Sequence, residues 1–438
     1  MKKSNHYIKY FIFILFFLVS FLTNIKAEVY DGNLLISPKD IQNQIFTTSL
    51  IDNDYNTINT WNTDCPVASM GYLLPDSSMV FPCKQDDPII DDVSASGGRI
   101  IKYKWDGTVL WDWQCEWDYQ LHHDIEPLPN GNILVIGLEQ IAPNISADVI
   151  LEIKPEGLHD ASIVWEWHTW DHRGSNDPYK FDDTLPYHTN DWNHFNAISI
   201  NDNNRIYLSS RTWSEFYIIE WRSDGDILYR WGNPQNYGRG TPDDQVLDAN
   251  HGVYEIPFGY PGRGNILLFN NRTNQTAPDN LFSSVIELTP DINDDGTYNI
   301  EDGEPFGPEE LVWEYSNGFH SGSQSGAFRL PNGNTLITVA SESYVFEVTN
   351  DKEIVWEYNS DSGVIPRSHK YGVEFFIISG DMNEDNNLNI LDVILLQALI
   401  LENTTIDEDQ LALGDINDDG ELNIIDIIYL INSILNLL

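Results

Sequence analysis

The chain is 438 residues long, 41% hydrophobic and 12% aromatic, with 68 acidic against 23 basic side chains and a formal charge of −45. That charge excludes nucleic acid and anionic membrane surfaces as partners of the chain as a whole. The length allows one large domain with a small one beside it, and 14 Trp, 21 Tyr, 29 Gly and 21 Pro point to an all-β core. The acidic excess has two readings that stay open here: a solvating surface suited to a salty extracellular medium, or carboxylates serving as cation ligands.

Residues 1–27 read as a secretory signal. Lys2, Lys3 and Lys9 precede the apolar run FIFILFFLVSFL at 11–22, which is short for a bilayer span, and Ile25-Lys26-Ala27 offers a cleavage site before Glu28. No membrane span is expected after cleavage, which places the protein in a secreted setting: extracellular, periplasmic or at the cell surface. Cys65, Cys83 and Cys115 then enter an oxidising compartment. One disulfide and one free thiol is the simplest count, and Cys65 with Cys83, flanking an expected hairpin, is the favoured pair.

Two families of segments recur along 28–378. Aromatic residues alternate in VLWDWQ (109–114), IVWEWH (163–168), ILYRWG (227–232), LVWEYS (311–316) and IVWEYN (354–359). Alternation with period two marks strands. Ahead of each lies a hairpin signal: LLPDSSMVF (73–81), PLPNGNILVI (127–136), INDNNRIYLS (200–209), GRGNILLFN (262–270) and RLPNGNTLITV (329–339). Anchored on Ser78, Asn132, Asn204, Asn265 and Asn334, each unit holds about four short strands. Such units repeated around a ring make a β-propeller. A sixth unit is expected from both ends, with TSLIDNDYNTINTW (48–61) as an outer hairpin and YGVEFFII (371–378) as an inner strand. The expected fold is therefore all-β, a six-bladed propeller of four-stranded antiparallel blades.

The histidines fall in phase with this repeat. His123 lies nine residues before Asn132, and the same slot holds His194 and His251 in the next two units. In the fifth unit it falls at Ser325, with His320 just upstream, and in the first at Ser69. Seven residues after the anchor stand Arg211 and Arg272, with Glu139 and Ser341 as counterparts. Both positions face one mouth of the central channel, so three histidines and two arginines converge there as an anion pocket. Three histidines can bind zinc, but the neighbouring arginines would repel it. His122 has no slot of its own and, by strand alternation, is read as structural. His123 is read as a supporting donor.

At these residues the chain resembles the bacterial arylsulfate sulfotransferases, the family that works without a nucleotide donor. The matching segments are HHDIEPLPNGNILVI, WNHFNAISI, YLSSR, NHGVYEIP and SGAFRLPNGNTLI, spanning about 120–340. The resemblance implies a six-bladed propeller that moves a sulfuryl group from an aryl sulfate donor to a phenolic acceptor through a sulfated histidine. By motif, His251 matches the nucleophile, and His123, His194 and Arg211 match residues around the transferred group. Asn196 is a further substrate contact, and Arg272 joins it from the slot alignment. Trp192 and Trp213 are expected to stack on aromatic donors. The family's larger members carry a separate N-terminal β-domain, for which this chain has little room.

After Gly380 the composition changes. Residues 381–392 read DMNEDNNLNILD and 415–426 read DINDDGELNIID. They offer Asp381, Asn383, Asp385, Asn389 and Asp392, then Asp415, Asn417, Asp419, Asn423 and Asp426, with EF-hand-like spacing for calcium. An apolar helical pattern follows each loop. Two such units resemble a type I dockerin over 379–438, which implies calcium binding and a cohesin-like partner. A third copy, DINDDGTYNIED at 291–302, offers Asp291, Asn293, Asp295, Asn299 and Asp302 but leads into no helix.

The leading expectation is thus a secreted aryl-sulfate sulfotransferase with structural calcium. The alternative is a non-catalytic propeller that binds or scaffolds through its dockerin-like module. A sulfatase using water in the same pocket is a third possibility.

Overall fold

The computed structural model describes residues 28–436 apart from 41–42, 45, 86, 89, 91–96, 184–190, 273–280, 294, 362, 373–374, 376–379, 384–387, 403–407 and 418–419. The expected signal segment at 1–27 lies outside these. The Pro-Asn-Gly-Asn stretches turn as expected, with Gly131 and Gly333 left-handed at φ 82° and 90°, a conformation glycine takes without steric penalty. Strands fold back on one another through such turns into six four-stranded antiparallel sheets. Blades 1 to 5 occupy 72–114, 119–168, 195–231, 251–315 and 326–359, each running from the inside outward in chain order. The first strands of blades 2, 3, 4 and 5 touch in sequence around the axis.

Blade 6 closes the ring from both ends of the chain. Its innermost strand is His369–Gly372, paired antiparallel with Gly32–Ile36, which pairs in turn with Thr47–Ile51 and that with Thr57–Asn62. The inner strand therefore starts two residues ahead of the expected 371–378 segment. A strand that sequence reasoning did not name, Gly32–Ile36, lies between it and the outer hairpin. Cys65 is disulfide-bonded to Cys83. Cys115 is free and buried, its thiol pushed up to about 11 by burial, which leaves it inert.

The core is divided among the blade junctions. Six apolar clusters lie one at each junction; the one between blades 2 and 3, for example, gathers Leu134, Ile150 and Trp167 with Phe195, Leu208 and Tyr217. Polar ties overlie them. In every blade a tryptophan of the outer strand donates its Nε1–H to a backbone carbonyl of the next blade. Trp61 reaches Lys104, Trp111 Asp160, Trp167 Gly225, Trp231 Pro308, Trp313 Asn350 and Trp356 Asn53, at 2.9 to 3.0 Å. This explains the aromatic repeat: the ring shields the junction while its N–H crosses it.

Three junctions carry a further device. Glu152, Glu287 and Glu347 each accept from the hairpin anchor of their own blade, Asn132, Asn265 or Asn334, at 2.6 Å. Each also pairs with a cation of the next blade: Arg222 at 2.7 Å, Arg329, or Lys370 at 2.8 Å.

The C-terminal segment forms helices α1 (Ile390–Glu402), α2 (Glu408–Gly414) and α3 (Ile424–Asn436). Val393, Leu396 and Leu430 make its small core, while Ile394, Leu401, Ile424, Ile428 and Tyr429 remain exposed. No helix among the described residues is long and apolar enough to cross a membrane. Each main helix follows an acidic loop. Asp426 accepts the N–H groups of Ile416 and Asn423, and Asp392 that of Asn389. Asp392 and Asp426 are wholly buried, yet the chain contains no Lys, Arg or His after Lys370. One buried oxygen of Asp392 has no partner at all among the described residues. Buried carboxylates without a protein cation fit a bound divalent ion. Asp381, Asn383, Asn389 and Asp392 would hold it in the first loop, and Asp415, Asn417, Asn423 and Asp426 in the second. Asp385 and Asp419 fall outside the described residues. The loop at 291–302 differs: it is an exposed turn in which Asp295 accepts from Thr297 and Ile292 pairs with Tyr298.

Glu347→Ala leaves Lys370 buried without its anion and should lower unfolding free energy by about 3–5 kcal/mol in urea denaturation. A Glu347→Leu, Lys370→Met double variant should recover most of that loss, whereas equal instability of both would contradict the tie. Calorimetric titration with calcium should give one binding event per C-terminal loop. Asp392→Ala should remove one of them and reduce helicity.

Candidate active site

The innermost strands of blades 2, 3 and 4, Tyr119–Pro127, Phe195–Ile200 and His251–Glu255, are irregular where they begin. Their pairing slips between Leu121 and Ile125, Phe195 and Ala197, and His251 and Tyr254. At these slips the backbone turns left-handed, with φ 52° at His123, 51° at His194 and 63° at Gly252; Ser325 in blade 5 follows at 82°. A side-chain-bearing residue there costs roughly 1–2 kcal/mol. Bulges of this kind re-aim side chains next to functional sites. In blade 4 the left-handed residue is one place later, so His251 itself keeps ordinary backbone. Gly252 is needed there, since a Cβ would lie 3.0 Å from the Cα of Gly326.

The re-aimed side chains meet at one mouth of the channel. A cavity of about 520 Å³ is lined by Lys39, His123, His194, Arg211 and His251, with Ser341 and Gln324 on its rim. The rings of His123 and His194 stand 4.8 Å apart between centroids. The His251 Nδ1 lies 2.8 Å from Asn271 Oδ1 and 3.0 Å from the Ala249 carbonyl. Asn271 donates its amide to the carbonyls of Ser321 and Gln324, so its oxygen must face the histidine. Both neighbours of Nδ1 are acceptors; Nδ1 carries the hydrogen and Nε2 keeps its lone pair. Burial, and after it the nearby His194 and Arg211, push the His251 imidazole down to about 3, against its bonds to Asn271 and Ala249. It is therefore neutral at physiological pH.

His194 binds Asp191 through Nδ1. Burial raises the Asp191 carboxyl, but the hydrogen bond and charge of His194 outweigh it and hold the group below its usual range. An ionised Asp191 can balance a proton added to His194. Arg211 continues from the second strand of blade 3, its backbone N–H on the His194 carbonyl. Its guanidinium makes no hydrogen bond or ion pair to a described side chain. Burial, and then the charge of Arg272, lower its pKa.

Sequence reasoning missed Lys39. It lies in the connection between Gly32–Ile36 and Thr47–Ile51 of the closing blade, bridged to Val364, with Nζ 3.2 Å from the Ala68 carbonyl. It occupies no repeat slot, so periodicity could not reveal it. Burial pulls its ammonium down to about 8. His122 was read as structural and pointing elsewhere, and it does lie off the cavity, but it touches a residue that lines it. Its Nδ1 is 2.7 Å from His123 Nδ1 and its Nε2 is 2.9 Å from the buried Asp148.

The remaining candidates sit apart. Arg272 does not line the cavity and acts on it through its charge on Arg211. Asn196 lines a recess of about 20 Å³ with Ser69, His123, His251 and Ser325. Its amide donates to Asn250, and its oxygen has no partner among the described residues. Glu139 is bound to His168 at 2.8 Å, and the backbone of His320 to Glu342. Trp192 and Trp213 do not stack over the cavity: both pack edge-on around Phe181 in the cluster between blades 2 and 3.

Comparison with curated proteins returns no match. Among solved structures, a protein of unknown function from Bacteroides caccae is 13% identical and covers 78% of this chain and 99% of its own, with a TM-score of 0.47. Virginiamycin B lyase from Staphylococcus aureus is 13% identical over 76% of this chain and 85% of its own, at 0.37. AztD from Citrobacter koseri is 10% identical over 78% and 99%, at 0.36. Likenesses this slight carry no chemistry. Two family models match: arylsulfotransferase (ASST) at 89–295 and the dockerin type I domain at 379–435. The first stretch contains His123, His194, Arg211 and His251, and it supports aryl sulfotransferase activity in general terms. Over 89–295 the chain thus matches the arylsulfotransferase (ASST) family and, C-terminal to that stretch, over 379–435, the dockerin type I domain.

Proposed function

We propose that the protein transfers a sulfuryl group from an aryl sulfate to a phenolic acceptor, without a nucleotide donor, through a sulfated His251. The observation that carries this reading is the lone pair on His251 Nε2, held ready by Asn271 beside the cations Arg211 and Lys39. In the first transfer Nε2 attacks sulfur, the S–O bond to the donor breaks, and its electron pair leaves on the phenolate. In the second, the acceptor oxygen attacks sulfur, the S–N bond breaks, and the pair returns to His251. Sulfuryl transfer, like phosphoryl transfer, has a loose transition state with charge on the non-bridging oxygens. Arg211 and Lys39 would hold those oxygens where the charge develops. A covalent intermediate divides one difficult exchange into two easier ones.

The C-terminal module supports a secreted, calcium-binding protein. Dockerins bind cohesins, and the exposed apolar residues of α1 and α3 are the face we assign to a cohesin-like partner. A purely scaffolding propeller gives no reason for a neutral histidine to share a cavity with two cations that no described carboxylate pairs.

Incubation with 4-nitrophenyl sulfate and no acceptor should release one equivalent of nitrophenolate and leave a sulfuryl group on His251. Adding phenol should then give steady turnover. His251→Ala should lose both label and turnover, and Arg211→Met should lower kcat by roughly 10²–10³-fold. Label on another residue, or none across several aryl sulfates, would overturn the assignment; label that only water discharges would make the protein a sulfatase.

The pH profile is a separate test. The shifts of His251 and Lys39 are both downward, so each group is harder to protonate in the folded protein. His251 stays neutral down to about pH 3, while Lys39 loses its charge as pH rises through about 8. Turnover should show no acid limb from the nucleophile near pH 6 and should fall above pH 8. Lys39→Arg should carry the plateau to higher pH.

A further inference from the structure

Asp148, His122 and His123 form a hydrogen-bonded row from the closed interior of blade 2 to the cavity. Asp148 is wholly buried and His122 nearly so. The two carboxylate oxygens have different partners. Oδ2 accepts the backbone N–H of Phe195 at 2.8 Å, and Oδ1 lies 2.9 Å from His122 Nε2. The other nitrogen of His122 meets Nδ1 of His123 at 2.7 Å. Two ring nitrogens in contact share one hydrogen, so the protonation of one imidazole dictates that of the next.

We propose that Asp148 and His122 are positioning residues that fix the tautomer of His123, making His123 the base that takes the proton of the acceptor phenol. Burial raises the Asp148 carboxyl, against the hydrogen bond and charge of His122 and the N–H of Phe195; as a carboxylate it accepts at both oxygens, which puts the hydrogen of His122 on Nε2. A neutral His122 then offers only a lone pair at Nδ1, and His123 must donate to it from its own Nδ1. The cavity-facing Nε2 of His123 is left bare. On this proposal it is an acceptor rather than a supporting donor. In the second transfer the acceptor O–H bond breaks, its proton goes to His123 Nε2, and the O–S bond forms as the S–N bond to His251 breaks. The imidazolium so formed is balanced through His122 by the buried charge of Asp148.

The role in transfer rests on the sulfotransferase reading, but the tautomer does not. Phe195 supplies the decisive test. In Asp148→Asn the N–H of Phe195 can only be accepted by the amide oxygen, which turns the amide NH₂ toward His122. His122 must then accept at Nε2 and donate from Nδ1, and His123 must accept at Nδ1 and carry its hydrogen on Nε2. One isosteric change should reverse the whole row.

Nitrogen NMR of the full chain with labelled histidine reads this directly. His123 Nε2 should be bare at neutral pH in the native protein and protonated in Asp148→Asn. A protonated Nε2 in the native protein, or no change on substitution, overturns the proposal whatever the enzyme does. If Asp148→Asn does not fold, His122→Phe serves instead and should leave His123 with a mixture of tautomers; a single unchanged tautomer overturns the proposal. In kinetics, Asp148→Asn should keep the first burst of 4-nitrophenolate and slow discharge to phenol by roughly 10²–10⁴-fold. Equal loss in both steps would mean a merely structural role. Absence of any sulfated His251 in the native protein would instead sink the sulfotransferase reading and leave the tautomer result standing.

Discussion

The architecture depends on the junction between blades, and one contact recurs at all six: an outer-strand indole donating to a carbonyl of the next blade. A four-stranded blade is apolar on both faces and has no core of its own, so its stability comes from its neighbours. The indole ring covers the seam with apolar surface, and its one N–H satisfies a carbonyl at the seam's edge. A methyl-bearing side chain could do the first and not the second. Where Glu152, Glu287 and Glu347 bind a hairpin asparagine and a cation of the following blade, the seam is also fixed in register. That register brings three histidines on three strands to the same height around the axis.

The same features made much of the fold legible in the sequence. The aromatic alternation was visible because each outer strand needs its indole. The Asn anchors were visible because Asn132, Asn265 and Asn334 both close a turn and hold a glutamate. His123, His194 and His251 stood in phase because the strands that carry them begin alike. What stayed hidden has a common cause. Lys39 arrives from the closing segment, which belongs to no repeat. Asn271 and Asp191 act by side-chain direction, which spacing does not encode. The alignment picked Arg272 where Asn271, one residue earlier, touches His251. His122 does lie off the cavity as alternation implied, and its contact with the His123 ring is again a matter of side-chain direction.

Backbone strain and chemistry coincide in this molecule. Left-handed His123 and His194 would relax in a regular strand. They are held by pairing on either side of each slip and by hydrogen bonds reaching outward, to Asp148 through His122 in one case and to Asp191 in the other. Asp148 and Asp191 do not line the cavity, whereas Lys39 and Arg211 do. A chain with a charge of −45 thus presents a locally cationic cavity. The proposed aryl sulfate donor would be drawn in by Arg211 and Lys39 against a repulsive surround, which favours anions that bury an apolar ring at the same time.

Ring closure has a temporal consequence. Gly32–Ile36 cannot complete its sheet until His369–Gly372 has been made, so the two ends of the propeller wait for each other across nearly its whole length. Lys39 sits just beyond that early strand, tied to Val364 from the late end. During synthesis the histidines of blades 2 to 4 can assemble while the lysine is still adrift. Pairing between such distant segments is intrinsically slow. The cavity therefore acquires its second cation only when the last blade zips shut, and a nascent or nicked ring carries His251 and Arg211 without Lys39.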